Sequence, residues 1–242
     1  MILPTMNDDE RCFEAFRVLG PAYMMYCKLE PTIVSKFSKA TKYPYILRFP
    51  FVDDKRNDWR LVCILPSKAA KKKLRYMTMC YTTFDVPPRR MEDDRNAGTG
   101  VIMFDPFIMW NEVYGKGGDR NPCFMEIVPH AFNRYTETYL TPQGLTDLDI
   151  HKKVENMLLR WWHYDVAPDL HGDKSAVKHK NDGICPYDVI MKGGGILRGQ
   201  FTCPTLIRFF TYISKEKMYD NQEERYAEIA REAWQWRVKG IY

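Results

Sequence analysis

Between Tyr43 and Phe104 the chain repeats one pattern four times. The stretches Tyr43–Phe51, Trp59–Leu65, Leu74–Phe84 and Gly100–Phe104 are rich in aromatic and branched residues. Turn signals fall between them: Asp53-Asp54 and Asn57-Asp58, then Pro66-Ser67, then Pro87-Pro88. The short spacing suggests antiparallel hairpins rather than strands joined by crossover helices. Residues 85–99 (DVPPRRMEDDRNAGT) and 115–122 (GKGGDRNP) read as polar loops.

A helix is expected before this region, over residues 8–19. Asn7 or Asp8 can cap it, Phe13, Phe16 and Leu19 share a stripe, and Gly20-Pro21 is expected to stop it. After it the pattern changes. Cys123–Val128 reads as a strand and Pro129 suits a helix start, giving a short helix over His130–Leu140. Thr146 with Asp149 is a capping signal. Ile150, Val154, Met157, Leu158 and Trp161 then make an amphipathic helix over about 147–163. Tyr187–Met191, Ile196–Phe201 and Leu206–Ser214 read as strands, with Gly193-Gly194-Gly195 as the turn between the first two. A closing helix starts near Asp220, with Tyr226, Ile229, Ala230, Ala233 and Trp236 as its stripe. The fold class is α+β: an antiparallel β-rich N-terminal half, then a helix–helix–antiparallel sheet–helix half. Residues 1–120 and 121–242 are the two regions, which one compact domain could also contain.

Charge and cysteine usage narrow the setting. The net charge of +5 is unevenly spread, because residues 31–90 hold 14 Lys and Arg against four Asp, a local +10. That asymmetry points to a polyanion, RNA among them, or to an acidic protein surface. Lys71, Lys72, Lys73 and Arg75 are its densest part, and the alternative for them is a solvated hairpin loop. Seven Cys form no C-x-x-C pair and sit among apolar residues, as reduced core thiols do. No basic-then-apolar leader opens the chain and no apolar run reaches membrane-spanning length. A cytoplasmic protein without a membrane partner is expected.

The segment 129–139 (PHAFNRYTETY) carries the sharpest chemical signal. At 100° per residue, His130, Arg134 and Glu137 fall within 60° of one another, while Phe132, Tyr135 and Tyr139 face the other way. Histidine can move a proton near neutral pH, arginine can stabilise charge building on a phosphate, and glutamate can orient either. Such a set could cleave a phosphodiester without metal. The alternative is an exposed face with an Arg134–Glu137 pair.

The order His130-Ala131-x-x-Arg134-x-x-Glu137, followed by an amphipathic helix and strands closing on Thr211-Tyr212-Ile213-Ser214, resembles the RelE-like toxin proteins and their uncharacterised relatives. The resemblance covers residues 123–214. Thr138 stands where that pattern has a final Arg. It implies RNA cleavage or RNA binding, with His130, Arg134 and Glu137 as the catalytic set. In strand 206–214, strict alternation would put Arg208 and Tyr212 on one face, which could line a site next to His130 or equally be an ordinary solvent face, and Arg198 lies on the adjacent strand.

Other motifs carry little. His163, His171 and His179, each followed by an Asp, lie eight residues apart, a spacing that fits neither a helix face nor a strand face, so no metal is expected. Neither glycine run has the phosphate-loop order, no G-x-S-x-G is present, and no cofactor is expected. Two functions remain open. One is a metal-independent ribonuclease or RNA-binding protein. The other is a non-enzymatic interaction protein using the basic region 31–90.

Overall fold

The structure, a computed structural model, describes residues 2, 5–88, 97–106, 124–161, 185–203, 205–218, 224 and 227. The sequence-expected closing helix, the 163–182 histidine loop and the 115–122 loop therefore lie outside the described residues or at their margin.

The molecule is α+β. One eight-stranded sheet runs in the order β1-β2-β3-β4-β5-β8-β7-β6. Its strands are β1 (Tyr45–Val52), β2 (Asp58–Leu65), β3 (Met77–Val86), β4 (Gly98–Phe104), β5 (Phe124–Ile127), β6 (Cys185–Ile190), β7 (Ile196–Cys203) and β8 (Leu206–Ile213). All neighbouring pairs are antiparallel except β5 with β8, which run parallel. The first four strands form the hairpin series that their turns dictate. The parallel pair arises because two helices and β6–β7 intervene before β8 returns to lie beside β5. Strands from both halves of the sequence thus share one sheet, joined where β4 pairs with β5.

Helix α1 (Asp8–Ser38) spans 31 residues and does not stop at Gly20-Pro21 as expected. Asn7 caps it: its side chain accepts the Glu10 amide while Glu10 returns a bond to the Asn7 amide. Pro21 and Pro31 lie inside the helix and are exposed. An interior proline costs about 3 kcal/mol. Against that, Val18, Leu19, Ala22, Tyr26, Ile33 and Phe37 are all buried along one face. Their burial contributes on the order of 10 kcal/mol, which keeps the helix going past both prolines.

The sheet is covered on both faces. Trp59, Leu61 and Cys63 of β2, Cys80 and Phe84 of β3, and Ile102 and Phe104 of β4 pack with α1. The alternate residues of these strands, Val62, Ile64, Met79, Tyr81, Val101 and Met103, pack with α3 (Pro129–Tyr135) and α4 (Ile150–Trp161) on the opposite face. Of the stripe expected of it, helix α4 buries Val154, Met157, Leu158 and Trp161, while Ile150 in its first turn is half-buried. Its cap is Asp149, whose Oδ1 accepts the Lys152 amide at 3.0 Å, three residues later than the Thr146 signal implied.

Three local expectations are corrected. The basic stretch after β2 is not only a hairpin loop: Ser67 caps a short helix, α2 (Lys68–Lys72). Leu74 precedes β3 rather than opening it, since its φ of 48° lies in the left-handed region. The expected helix 130–140 is α-helical only to Tyr135, then widens into a π turn over Thr136–Leu140.

Candidate functional site

Helix α3 starts on Pro129, whose missing amide costs nothing at a helix N-terminus. It buries Phe132 and Tyr135 against the sheet. The opposite side carries the residues singled out from sequence. His130 and Arg134 are half-buried and Glu137 is exposed. Arg134 Nη1 lies 3.6 Å from Glu137 Oε2, an i,i+3 pair on the helix surface. Among the described residues, no hydrogen bond or ion pair ties His130 to either.

Arg208 and Tyr212 do not share a face. Arg198 pairs with Thr211 and Gly199 with Phe209, so Phe210 is an extra residue in β8. This β-bulge reverses the alternation beyond it. Tyr212 therefore enters the same core as Ile207 and Phe209, while Arg208 points to the α1 face. A side chain at position 199 would put its Cβ 2.5 Å from the Arg208 carbonyl oxygen, so the bulge requires glycine there.

Each of these residues is engaged in the interior. Arg208 Nη2 and Nε lie 2.8 and 2.9 Å from Glu126 Oε2, and Arg11 holds Oε1 of the same carboxylate. Glu126 is fully buried between the two guanidiniums, clamping α1 to the sheet where β5 meets β8. Arg198 pairs with buried Asp188 at 3.5 Å. Tyr212 contributes to a cage around Arg160, a buried cation that sequence reading missed. Its guanidinium lies 3.4 Å from the Tyr139 ring centroid, with the Tyr135 and Tyr212 rings at 5.4 and 5.6 Å. It donates to Tyr212 Oη at 3.1 Å, to the Lys192 carbonyl at 2.8 Å and to the Gly194 carbonyl. Arg160 so fastens α4 to the Gly193–Gly195 turn. Its place beside Leu158 and Trp161 on an amphipathic helix looks solvent-facing in the sequence, and no local signal marks it as buried.

The basic stretch divides into two parts. Arg48 forms a bidentate pair with buried Glu155, both contacts at 2.5 Å. Lys55 pairs with Glu14 in the β1–β2 turn, where Arg17 also holds Asp53 and Asp54. Burial acts to raise the Glu14 carboxyl, but the bonds from Lys55 and Arg17 outweigh it and hold that group below its ordinary range. The opposite end of these strands gathers lysines from two segments. Lys71 Nζ donates to the Ala40 carbonyl at 2.8 Å, setting α2 against the end of α1. Lys36, Lys39 and Lys42 from the α1 end and Lys68, Lys72, Lys73 and Arg75 around α2 are all exposed there.

Cys63 and Cys80 are buried, and burial pushes their thiols up, Cys63 to about 12. Neither is an available thiolate at neutral pH. Cys27, by contrast, is exposed on α1 rather than in a core. Among the described residues, no three His, Cys, Asp or Glu side chains cluster as metal ligands, and no helix is long and apolar enough to cross a membrane. Comparison of the chain with protein-family models, curated proteins and solved structures finds no match.

Proposed function

We propose that this protein binds a polyanion, RNA being the case the sequence resemblance favours, through the basic end formed by α2 and the C-terminus of α1. The observation that carries this reading is the Lys71–Ala40 contact, which gathers lysines from two separate segments at one end of the sheet. The acidic residues of the stretch 31–76 are Asp53, Asp54 and Asp58, all in or beside the β1–β2 turn at the other end. The end around α2 therefore attracts phosphate from several directions at once. A ribonucleolytic role for His130, Arg134 and Glu137 has weaker support, because Arg134 faces Glu137 and neither Arg208 nor Tyr212 joins them.

The test is binding of a labelled single-stranded RNA to the full chain by fluorescence anisotropy. Lys68, Lys72 and Lys73 are exposed, so changing all three to Glu should abolish binding at low salt while leaving the thermal unfolding transition in place. The RNA should be recovered intact on a denaturing gel. Undiminished binding by the triple variant overturns the proposal. Cleavage that His130→Ala abolishes would move the function to α3.

A further inference from the structure

The α4-covered face of the sheet is open at its β1 edge. Arg48, Pro50 and Val52 of β1 are exposed there. Register sets Pro50 opposite Arg60, and Arg60 opposite Tyr81, so these side chains share that face. Tyr81 Oη lies 3.3 Å from Nδ1 of His151, in the first turn of α4. Among the described residues, Nε2 of His151 and the whole Arg60 guanidinium have neither hydrogen bond nor ion pair.

Two of the three carboxylates nearby are already used. Glu155 gives both oxygens to Arg48. Asp149 caps α4 and pairs with Lys152 at 3.5 Å. Asp58, two residues before Arg60, is exposed. Burial, and next the charge of Arg60, hold His151 below the ordinary histidine range. Arg60 and His151 repel when both are charged, and among the described residues no side-chain hydrogen bond or ion pair from Asp58, Asp149 or Glu155 reaches the guanidinium or the imidazole. An oxyanion there would accept from the guanidinium fork and from imidazole Nε2, turning the repulsion into two charge-assisted hydrogen bonds.

We propose that Arg60 and His151 form a binding site for one phosphate oxyanion, with the remaining guanidinium nitrogen of Arg48 at its rim. The phosphate belongs either to a small phosphorylated compound or to the polyanion bound at α2. The second source rests on the function proposed above. Arg60 is five residues along β2 from Leu65, about 17 Å from the basic end, within reach of a short single strand.

The experiment follows imidazole resonances of the full-length protein as inorganic phosphate replaces chloride at constant ionic strength. The His151 signal should shift saturably, and its protonation midpoint should rise, because a bound anion favours the imidazolium. Arg60→Gln should weaken the apparent affinity about tenfold or more, and Arg60→Lys should restore it only in part. A His151 signal that ignores phosphate, or responds equally in Arg60→Gln, overturns the site. The Lys68, Lys72, Lys73 triple variant should keep the His151 response, so failure of RNA binding and failure of this site are separately visible. RNA binding weakened by Arg60→Gln assigns the phosphate to the polymer. RNA binding untouched by it, with the inorganic phosphate response lost, assigns it to a small compound.

Discussion

At the scale of single residues, position on α3 separates chemistry from packing. Phe132 and Tyr135 are buried, and Tyr135 also packs edge-on against Tyr212 at 5.2 Å and donates to Asn156. Truncating either ring to Ala should cost about 3–5 kcal/mol by chemical denaturation. His130→Ala should cost about 0.5 kcal/mol or less, because among the described residues it has no hydrogen-bond or ion-pair partner to lose. A large loss there would mean that His130 holds the fold. His151 offers a different signature. Its folded value lies below the unfolded one, so between about pH 6.5 and that lower value the unfolded chain binds a proton the folded chain refuses. Stability should fall as pH drops through that window. The groups that face His151 are Arg48, Asp58, Arg60 and Tyr81 on the sheet, and Asp149, Lys152 and Glu155 on its own helix. His151→Gln should flatten the slope in paired denaturation curves at pH 7.5 and 5.5, and an unchanged slope would place the proton elsewhere.

At the scale of elements, three features decide where side chains go, and all three depend on tertiary context. Helix α1 runs through two prolines because its buried face on the sheet outweighs their local cost. The π turn after Tyr135 brings Tyr139 onto Tyr135, rings 5.3 Å apart and 22° from parallel, and so builds one wall of the Arg160 cage. The bulge at Phe210 sends Tyr212 inward. Gly199→Ala should cost about 1–3 kcal/mol, since the added methyl meets backbone rather than a flexible side chain. A melting temperature equal to wild type would contradict the bulge geometry. These features also mark what the sequence could reveal. The hairpins, the buried stripe of α4 and the two-sided character of α3 follow from periodicity and turn residues, and were legible. The length of α1 was not, because propensity at Gly20-Pro21 says nothing about the sheet surface beneath. The shared face of Arg208 and Tyr212 failed for a similar reason: a strict two-residue alternation has no place for an inserted residue. Gly199 was a visible hint, but glycine in a strand does not say which partner bulges.

At the scale of the whole molecule, one sheet holds strands from both halves of the chain, and its two faces carry helices of different origin. That arrangement sorts the charge. Buried carboxylates take up several of the basic residues: Glu126 holds Arg11 and Arg208, Glu155 holds Arg48, and Glu14 holds Lys55. Within the described stretch 31–76, most of the exposed basic residues (Lys36, Lys39, Lys42, Lys68, Lys72, Lys73 and Arg75) lie where α2 meets the end of α1. The polyanion reading depends on that residue of charge, and counterion release makes it measurable. RNA affinity of the wild-type chain should fall steeply with salt, with a log–log slope of about −0.7 for each phosphate contact. Removing three contacts, as in Lys68→Ala with Lys72→Ala and Lys73→Ala, should make that slope shallower by about 2. The most direct measurement is therefore the salt dependence of RNA affinity in these two proteins side by side. A steep wild-type slope that the triple substitution flattens is the expected result, and affinity indifferent to salt, or equal slopes in the two proteins, would contradict it.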